Sequence, residues 1–130
     1  MRILDSDHCV AVLRGRLDLR GRVSTGEELA TTAITVAELA HGAWKSAEPA
    51  ENLARLDVLL THLAVLPFDG WAARRFGQLR SELERAGKRL DHLDLQIAAI
   101  ALERAAPLLT HNLRHFGRVP GLTLEDWLDA

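Results

Sequence analysis

A chain of 130 residues that is 48% hydrophobic and 26% charged carries enough apolar material for one packed core, so disorder is set aside and residues 1–130 are read as a single domain. The formal net charge of −2 gives no general pull toward nucleic acid, and the lone Cys9 allows no internal disulfide, which favours a reducing, cytoplasmic setting. No run approaches the roughly 20 apolar residues of a membrane helix, and Asp5 stands where a secretory leader needs an apolar run.

Arg2-Ile3-Leu4 is a short apolar segment ending on Asp5 and is read as a buried strand. Behind it, Val10, Val12 and Leu13 leave few polar faces and are expected to offer apolar surface. Arg14, Arg16, Arg20 and Arg22 then fall close together, either as a solvated helix face or as a patch that contacts phosphate. Ile34 to Leu39 contains Thr35-x-x-Glu38, the spacing of a capping box. Leu53, Leu56, Leu60 and Leu63 keep helical spacing, and Ala64-Val65-Leu66 reads as a strand. Asp69 is a good N-cap for an amphipathic helix through Ala72, Phe76, Leu79, Leu83 and Ala86, with Gly87 placed to end it. The run Ile97 to Leu102 is apolar on every face and predicts a central helix. Leu108-Leu109-Thr110 and Leu122-Thr123-Leu124 read as the last strands. Strands separated by helices predict an α/β fold, a short parallel sheet covered on both faces. In such sheets function gathers at the carboxyl ends of the strands, where Asp5 and Asn112 fall.

Three acids stand out, each with an ordinary alternative. Asp5 ends a buried strand and needs a partner, unless it forms an Asx-turn; Asp7, two residues on, argues against that, since one turn rarely needs two acids. Glu38 either completes the capping box or works in a site, among apolar neighbours that need not leave it facing solvent. Asp94 or Asp91 caps the apolar helix, whose buried positive end would hold Asp94 ionised inside the molecule. Two carboxylates ~4 Å apart repel by about 4 kcal/mol at an effective dielectric of ~20, so a cluster of such acids takes up protons or binds a cation. A hard ion such as Mg²⁺ suits an all-carboxylate site. Zinc has no Cys/His pair to hold it, and there is no Gly-rich phosphate loop, nucleophile elbow or dinucleotide fingerprint.

LDSDH at the N-terminus, ITVAELAHGA around Glu38, LDLQIAAIAL from Leu93 and LLTHNLRHFGRVPGLTLEDW near the end, in this order and spacing, resemble PIN-domain ribonucleases, and within them the VapC-type toxins of toxin–antitoxin pairs. The resemblance runs almost from end to end. It implies a PIN-like three-layer α/β/α fold and hydrolysis of RNA phosphodiesters by a metal-activated water. By position, Asp5 and Asp94 match metal ligands, Glu38 a ligand through water or the base that orients attack, and Thr110 and Asn112 the segment beside the metal. The implied cofactor is Mg²⁺, with Mn²⁺ as a substitute, and the implied partners are RNA, a VapB-type antitoxin and a second copy in a homodimer, with no membrane. Arg14, Arg16, Arg114 and Arg118 are the candidates for flanking phosphates.

Two positions depart from the family's pattern. His115 stands where many relatives carry an acid, and Asp91 where Gly is common. Asp91 either restores negative charge beside Asp94 or caps the following helix, and His115 either adds a titratable group or faces solvent. A PIN fold that has lost catalysis and serves as an interaction domain is the alternative these departures raise. A receiver domain would need Asp57 as phospho-acceptor, inside a helical pattern, and a late lysine, whereas the only lysines are Lys45 and Lys88. A dehalogenase-like phosphatase, suggested by Asp5-Ser6-Asp7, needs a longer chain and later Lys and acid segments that are not recognisable.

Overall fold

The computed structural model describes residues 1–128. They form β1 (Arg2–Leu4), α1 (Ser6–Leu13), β2 (Leu29–Thr32), α2 (Ala33–Lys45), α3 (Pro49–Leu60), β3 (Ala64–Leu66), α4 (Gly70–Arg85), α5 (His92–Glu103), β4 (Leu108–Leu109), α6 (Leu113–Phe116) and β5 (Leu124–Glu125). The sheet order is β3-β2-β1-β4-β5, and every pair is parallel.

A parallel sheet must be covered on both faces, and alternation along even these short strands achieves it. Ile3 and Leu108 join the core built with Leu79 and Leu83 of α4 and Leu95 to Ala101 of α5. Their successors Leu4 and Leu109 join Cys9, Leu59 and Leu63 on the other side, beneath α1 and α3. The three-layer arrangement expected from the sequence is the one the chain adopts. Burial pushes the Cys9 thiol up to about 12, so it serves as an inert core side chain.

Local chemistry sets the boundaries. The Asp69 carboxylate accepts the Ala72 N–H at 2.9 Å and starts α4 as predicted. At its far end Gly87 adopts φ +67°, and the Lys88 N–H returns to the Leu83 carbonyl at 2.9 Å. α5 is the central helix its composition predicts, with Leu95 and Ile97 to Ala101 buried. β5 lies at Leu124–Glu125 rather than Leu122–Leu124, because it pairs with the edge of β4 at Leu108↔Leu124 and Leu109↔Glu125. α3 stops at Leu60, so Leu63 packs from the connection that follows. Among the described residues no helix is long and apolar enough to cross a membrane.

Three expectations need correction. The cap of the helix bearing Glu38 is Thr32, not Thr35: the Thr32 hydroxyl accepts the Thr35 N–H at 3.1 Å, which places Thr35 inside the first turn and Glu38 beyond it. Glu38 is therefore not used as a cap. The arginines from Arg14 to Arg22 follow the end of α1 and lie in the loop before β2, not on a helix face. Val12 and Leu13 pack against the core under α1 and α3, while Trp44, Val58 and Trp71 are the most exposed large apolar side chains among the described residues, at 67%, 63% and 68% exposure.

Since Thr32 and Thr35 are both buried, Thr32→Ala leaves the Thr35 amide without its partner. The expected loss is about 1–2 kcal/mol of stability, measurable by urea unfolding, with the unfolding slope unchanged.

Candidate active site

The chain leaves β1 outward to β2 and β3, then crosses back to β4 on the opposite side of β1. The carboxyl ends of β1 and β4 therefore flank a topological switch point, where a crevice opens in sheets of this kind. Asp5 is the first residue beyond β1 and Thr110 the first beyond β4.

Asp5 is only 6% exposed. One of its carboxylate oxygens accepts the Ser6 N–H at 2.8 Å, and the other accepts the Thr110 hydroxyl at 2.9 Å. The Thr110 hydroxyl in turn accepts the Asn112 N–H at 3.0 Å. Burial pushes the Asp5 carboxyl up to about 6; the Ser6 and Thr110 hydrogen bonds pull the other way, and the charges of Asp7 and Asp94 add to the rise. Asp94, half-buried in the first turn of α5, is also raised, by partial burial and then by Asp91 and Asp7, against an opposite pull from His115. Glu38 is raised by partial burial and then by Asp5, Asp94 and Asp91.

Asp5, Glu38 and Asp94 thus come from three separate segments to share one electrostatic neighbourhood. The N-terminus of α5 is exposed through Leu93 and buried only from Leu95 onward, so Asp94 is not held ionised in the interior as expected. Glu38 is likewise an exposed residue. The cap of α5 is Asp91, whose carboxylate accepts the Leu93 and Asp94 amides at 3.1 and 3.4 Å. Asp91 therefore caps the helix and also adds charge at Asp94. His115 is exposed, and its Nδ1 is hydrogen-bonded to Asn112 Oδ1. The Asn112 side chain makes no hydrogen bond to the three acids; it stands beside them, its Nδ2 without a partner among the described residues.

Asp7 belongs to the same neighbourhood, a role the sequence reading did not give it. Its Oδ2 accepts the His111 N–H at 2.9 Å and lies 3.3 Å from the Thr110 hydroxyl. Its Oδ1 lies 2.7 Å from Nδ1 of His8, which is wholly buried. His8 Nε2 accepts the Trp127 N–H at 3.0 Å, so the ring proton sits on Nδ1 and is donated to Asp7. Burial alone would raise Asp7, but the His8 and His111 donors outweigh it and hold the acid below the usual carboxylate range. Two acids at one strand end are thereby driven apart, Asp7 toward the ionised form and Asp5 toward the protonated one. The pair Asp5-x-Asp7 was visible in the sequence; the partners contributed from His111 and Trp127, more than a hundred residues away, were not.

Among the described residues no three His, Cys, Asp or Glu side chains are arranged to hold a metal ion by themselves. Mg²⁺ does not require such a cage, since it keeps several waters and takes one or two carboxylates together with substrate phosphate. The donor set here is all oxygen, and burial, with the charges of neighbouring acids adding to it, raises all three of the acids predicted from the sequence. A hard divalent cation fits that chemistry.

The model of the PIN domain family matches residues 2–122. The chain is 36% identical over 127 residues to the tRNA(fMet)-specific endonuclease VapC of Salmonella typhimurium, covering 96% of each chain. It is 33% identical over 132 residues to Ribonuclease VapC2 of Rickettsia felis, again covering 96% of each. Among solved structures it is similar to a chain of VapBC2 from Rickettsia felis bound to a promoter DNA fragment, with a TM-score of 0.90, 32% identity and coverage of 97% of this chain and 98% of that one. The DNA-bound VapBC from Salmonella typhimurium gives a TM-score of 0.89 at 36% identity, covering 98% and 99%.

Proposed function

Since the chain belongs to the PIN domain family, we propose that it is a divalent-metal-dependent endoribonuclease of the cytoplasm, the toxin of a toxin–antitoxin pair. The observation that carries this reading is the convergence of three acids on the switch point: Asp5 buried at the end of β1 with Thr110 on its carboxylate, Asp94 close enough for its charge to act on Asp5, and Glu38 close enough to feel both. Mg²⁺, or Mn²⁺ in its place, would be held by Asp5 and Asp94. Bound there, such an ion would supply a water of lowered pKa and charge to offset that on the scissile phosphate.

The chain's own residues supply the remainder. Thr110 and the Ser6 amide fix the orientation of the Asp5 carboxylate. Glu38, raised by its acidic neighbours, is suited to accept a proton at its carboxylate from the attacking water. Asn112 offers its Nδ2 as a donor to a phosphate oxygen, with the amide oriented by His115. The antitoxin is proposed to occupy the groove of about 520 Å³ between α1, α2 and α3, whose lining includes Ser6, Val10, Glu38, Leu39 and Leu56, so that its segment reaches the acids. Exposed Trp44 and Trp71 support a homodimer, which sedimentation would detect.

The test is incubation of the purified protein with cellular RNA and Mg²⁺, followed by mapping of 5′ ends, beside Asp5→Asn. Discrete new ends with wild type alone support the reading. No cleavage by wild type, combined with capture of the antitoxin, would favour an interaction domain instead.

His115 and Asp91 modulate the same site by charge. His115→Asp is expected to lower, and Asp91→Gly to raise, the Mg²⁺ concentration for half-maximal cleavage by about tenfold, the lower end of the roughly 10–100-fold range of residues that support metal ligands. Shifts under about twofold in both variants would place the two positions outside the active centre.

A further inference from the structure

A second large groove, about 580 Å³ in volume, adjoins the first along α1, sharing Val10 and Arg14 with it, and is lined by Asp7, Arg16, Asp18, Arg22 and Trp127. Its charge is unbalanced in a specific way. The acids that line it are already engaged: Asp7 by His8 and His111, and Asp18 by Arg20 at 3.0 Å. Arg14, Arg16 and Arg22 have no ion pair among the described residues. Arg22 is held over the Trp127 ring, 5.7 Å from its centroid, which limits where its guanidinium can go. The groove beside Glu38 lacks this excess, since of its two arginines Arg55 is paired with Glu51 at 2.8 Å.

A polyanion that must approach a cluster of carboxylates needs compensating charge close by, and forked guanidiniums suit phosphate oxygens. We propose that this groove is the track for the single-stranded RNA flanking the scissile bond, with Arg14, Arg16 and Arg22 each contacting a backbone phosphate. The inference rests on the ribonuclease reading and adds to it a direction: the strand leaves the acids past Asp7, toward the arginines of the loop that follows α1. Because the contacts are to the backbone, they set register rather than sequence preference.

The test uses full-length Asp5→Asn protein, which binds without cutting, and a fluorophore-labelled single-stranded RNA, with anisotropy measured across a salt series in EDTA. Each phosphate contact contributes about 0.7 to the log–log salt slope for single strands. The triple variant Arg14→Gln, Arg16→Gln, Arg22→Gln is therefore expected to lower the slope by about 2, weakening binding roughly 100-fold at 0.1 M salt and little near 1 M. A control triple on the opposite side, Arg80→Gln, Arg85→Gln and Arg104→Gln, has the same net charge and should move the slope by less than about 0.5. Circular dichroism verifies that both fold; these arginines are exposed. Equal slopes for the groove and control variants overturn the inference while leaving RNA cleavage by wild type intact. Unchanged RNA binding with lost antitoxin capture also overturns it, because the groove would then be a protein site. Wild type that neither binds nor cuts RNA brings down the ribonuclease reading itself, and the groove with it.

Discussion

Asp5→Asn is expected to abolish RNA cleavage and, above pH 6, to raise the melting temperature of the protein. The two effects have one cause. Asp5 is buried with a carboxyl pushed up to about 6, whereas in the unfolded chain an aspartate titrates near ~3.9. For an acid whose folded value is raised, the folded state is the better proton binder. Stability attributable to this group is then full below about pH 4 and is lost as pH climbs through 6. The difference of roughly 2 units corresponds to about 3 kcal/mol held against the fold at pH 8 when no cation is present. Asparagine keeps the shape, can accept the Ser6 N–H and can donate to Thr110, but never ionises. Melts in EDTA should show Asp5→Asn several degrees above wild type at pH 8 and level with it at pH 4. Cleavage should fall by at least about a hundredfold, the scale of losing a single contact to the transition state. An equal drop in melting temperature at both pH values would instead make Asp5 a plain structural residue.

Removal of divalent metal is expected to stop cleavage entirely, and Mg²⁺ or Mn²⁺ to restore it. Protons and cation compete for the same carboxylates, and Asp5, Glu38 and Asp94 are all raised. The metal concentration for half-maximal activity should therefore climb as pH falls, by up to about tenfold per unit once below the Asp5 value. The same titration followed by thermal stability, without RNA, should show stabilisation by Mg²⁺ that is large at pH 8 and small at pH 5, since the ion relieves the repulsion the folded chain otherwise carries. Undiminished cleavage in excess EDTA would sink the metal reading outright.

How much of this could be read from residues alone depended on whether the signal was local. β1, β3 and the Asp69 cap of α4 were legible because apolar runs and a side chain three residues from its amide announce themselves. α5 was legible because it is apolar on all sides. β2 was not: Leu29–Thr32 is four residues long and runs straight into the helix of Ala33, so no turn or breaker marks it off and it received no assignment. That missing strand also shifted the cap from Thr32 to Thr35 and lent Glu38 a capping role it does not have. The acids themselves stood out by position. Their unequal protonation did not, because it comes from Thr110, His111 and Trp127, which reach Asp5, Asp7 and His8 across the whole length of the sequence.

The contact between Asp5 and Thr110 joins the first strand to the fourth across 105 residues. During synthesis β1 emerges almost at once, but β4, its neighbour across the switch point, has yet to be made, and at about 5–20 residues per second that gap lasts several seconds or more. Until β4 docks, Asp5 has no Thr110 to orient it, and Asp7 has no His111 amide. A ribosome-bound chain therefore holds its acids without the frame that arms them. The topology builds in a delay: the acids at the end of β1 acquire their partners only after most of the chain has been made.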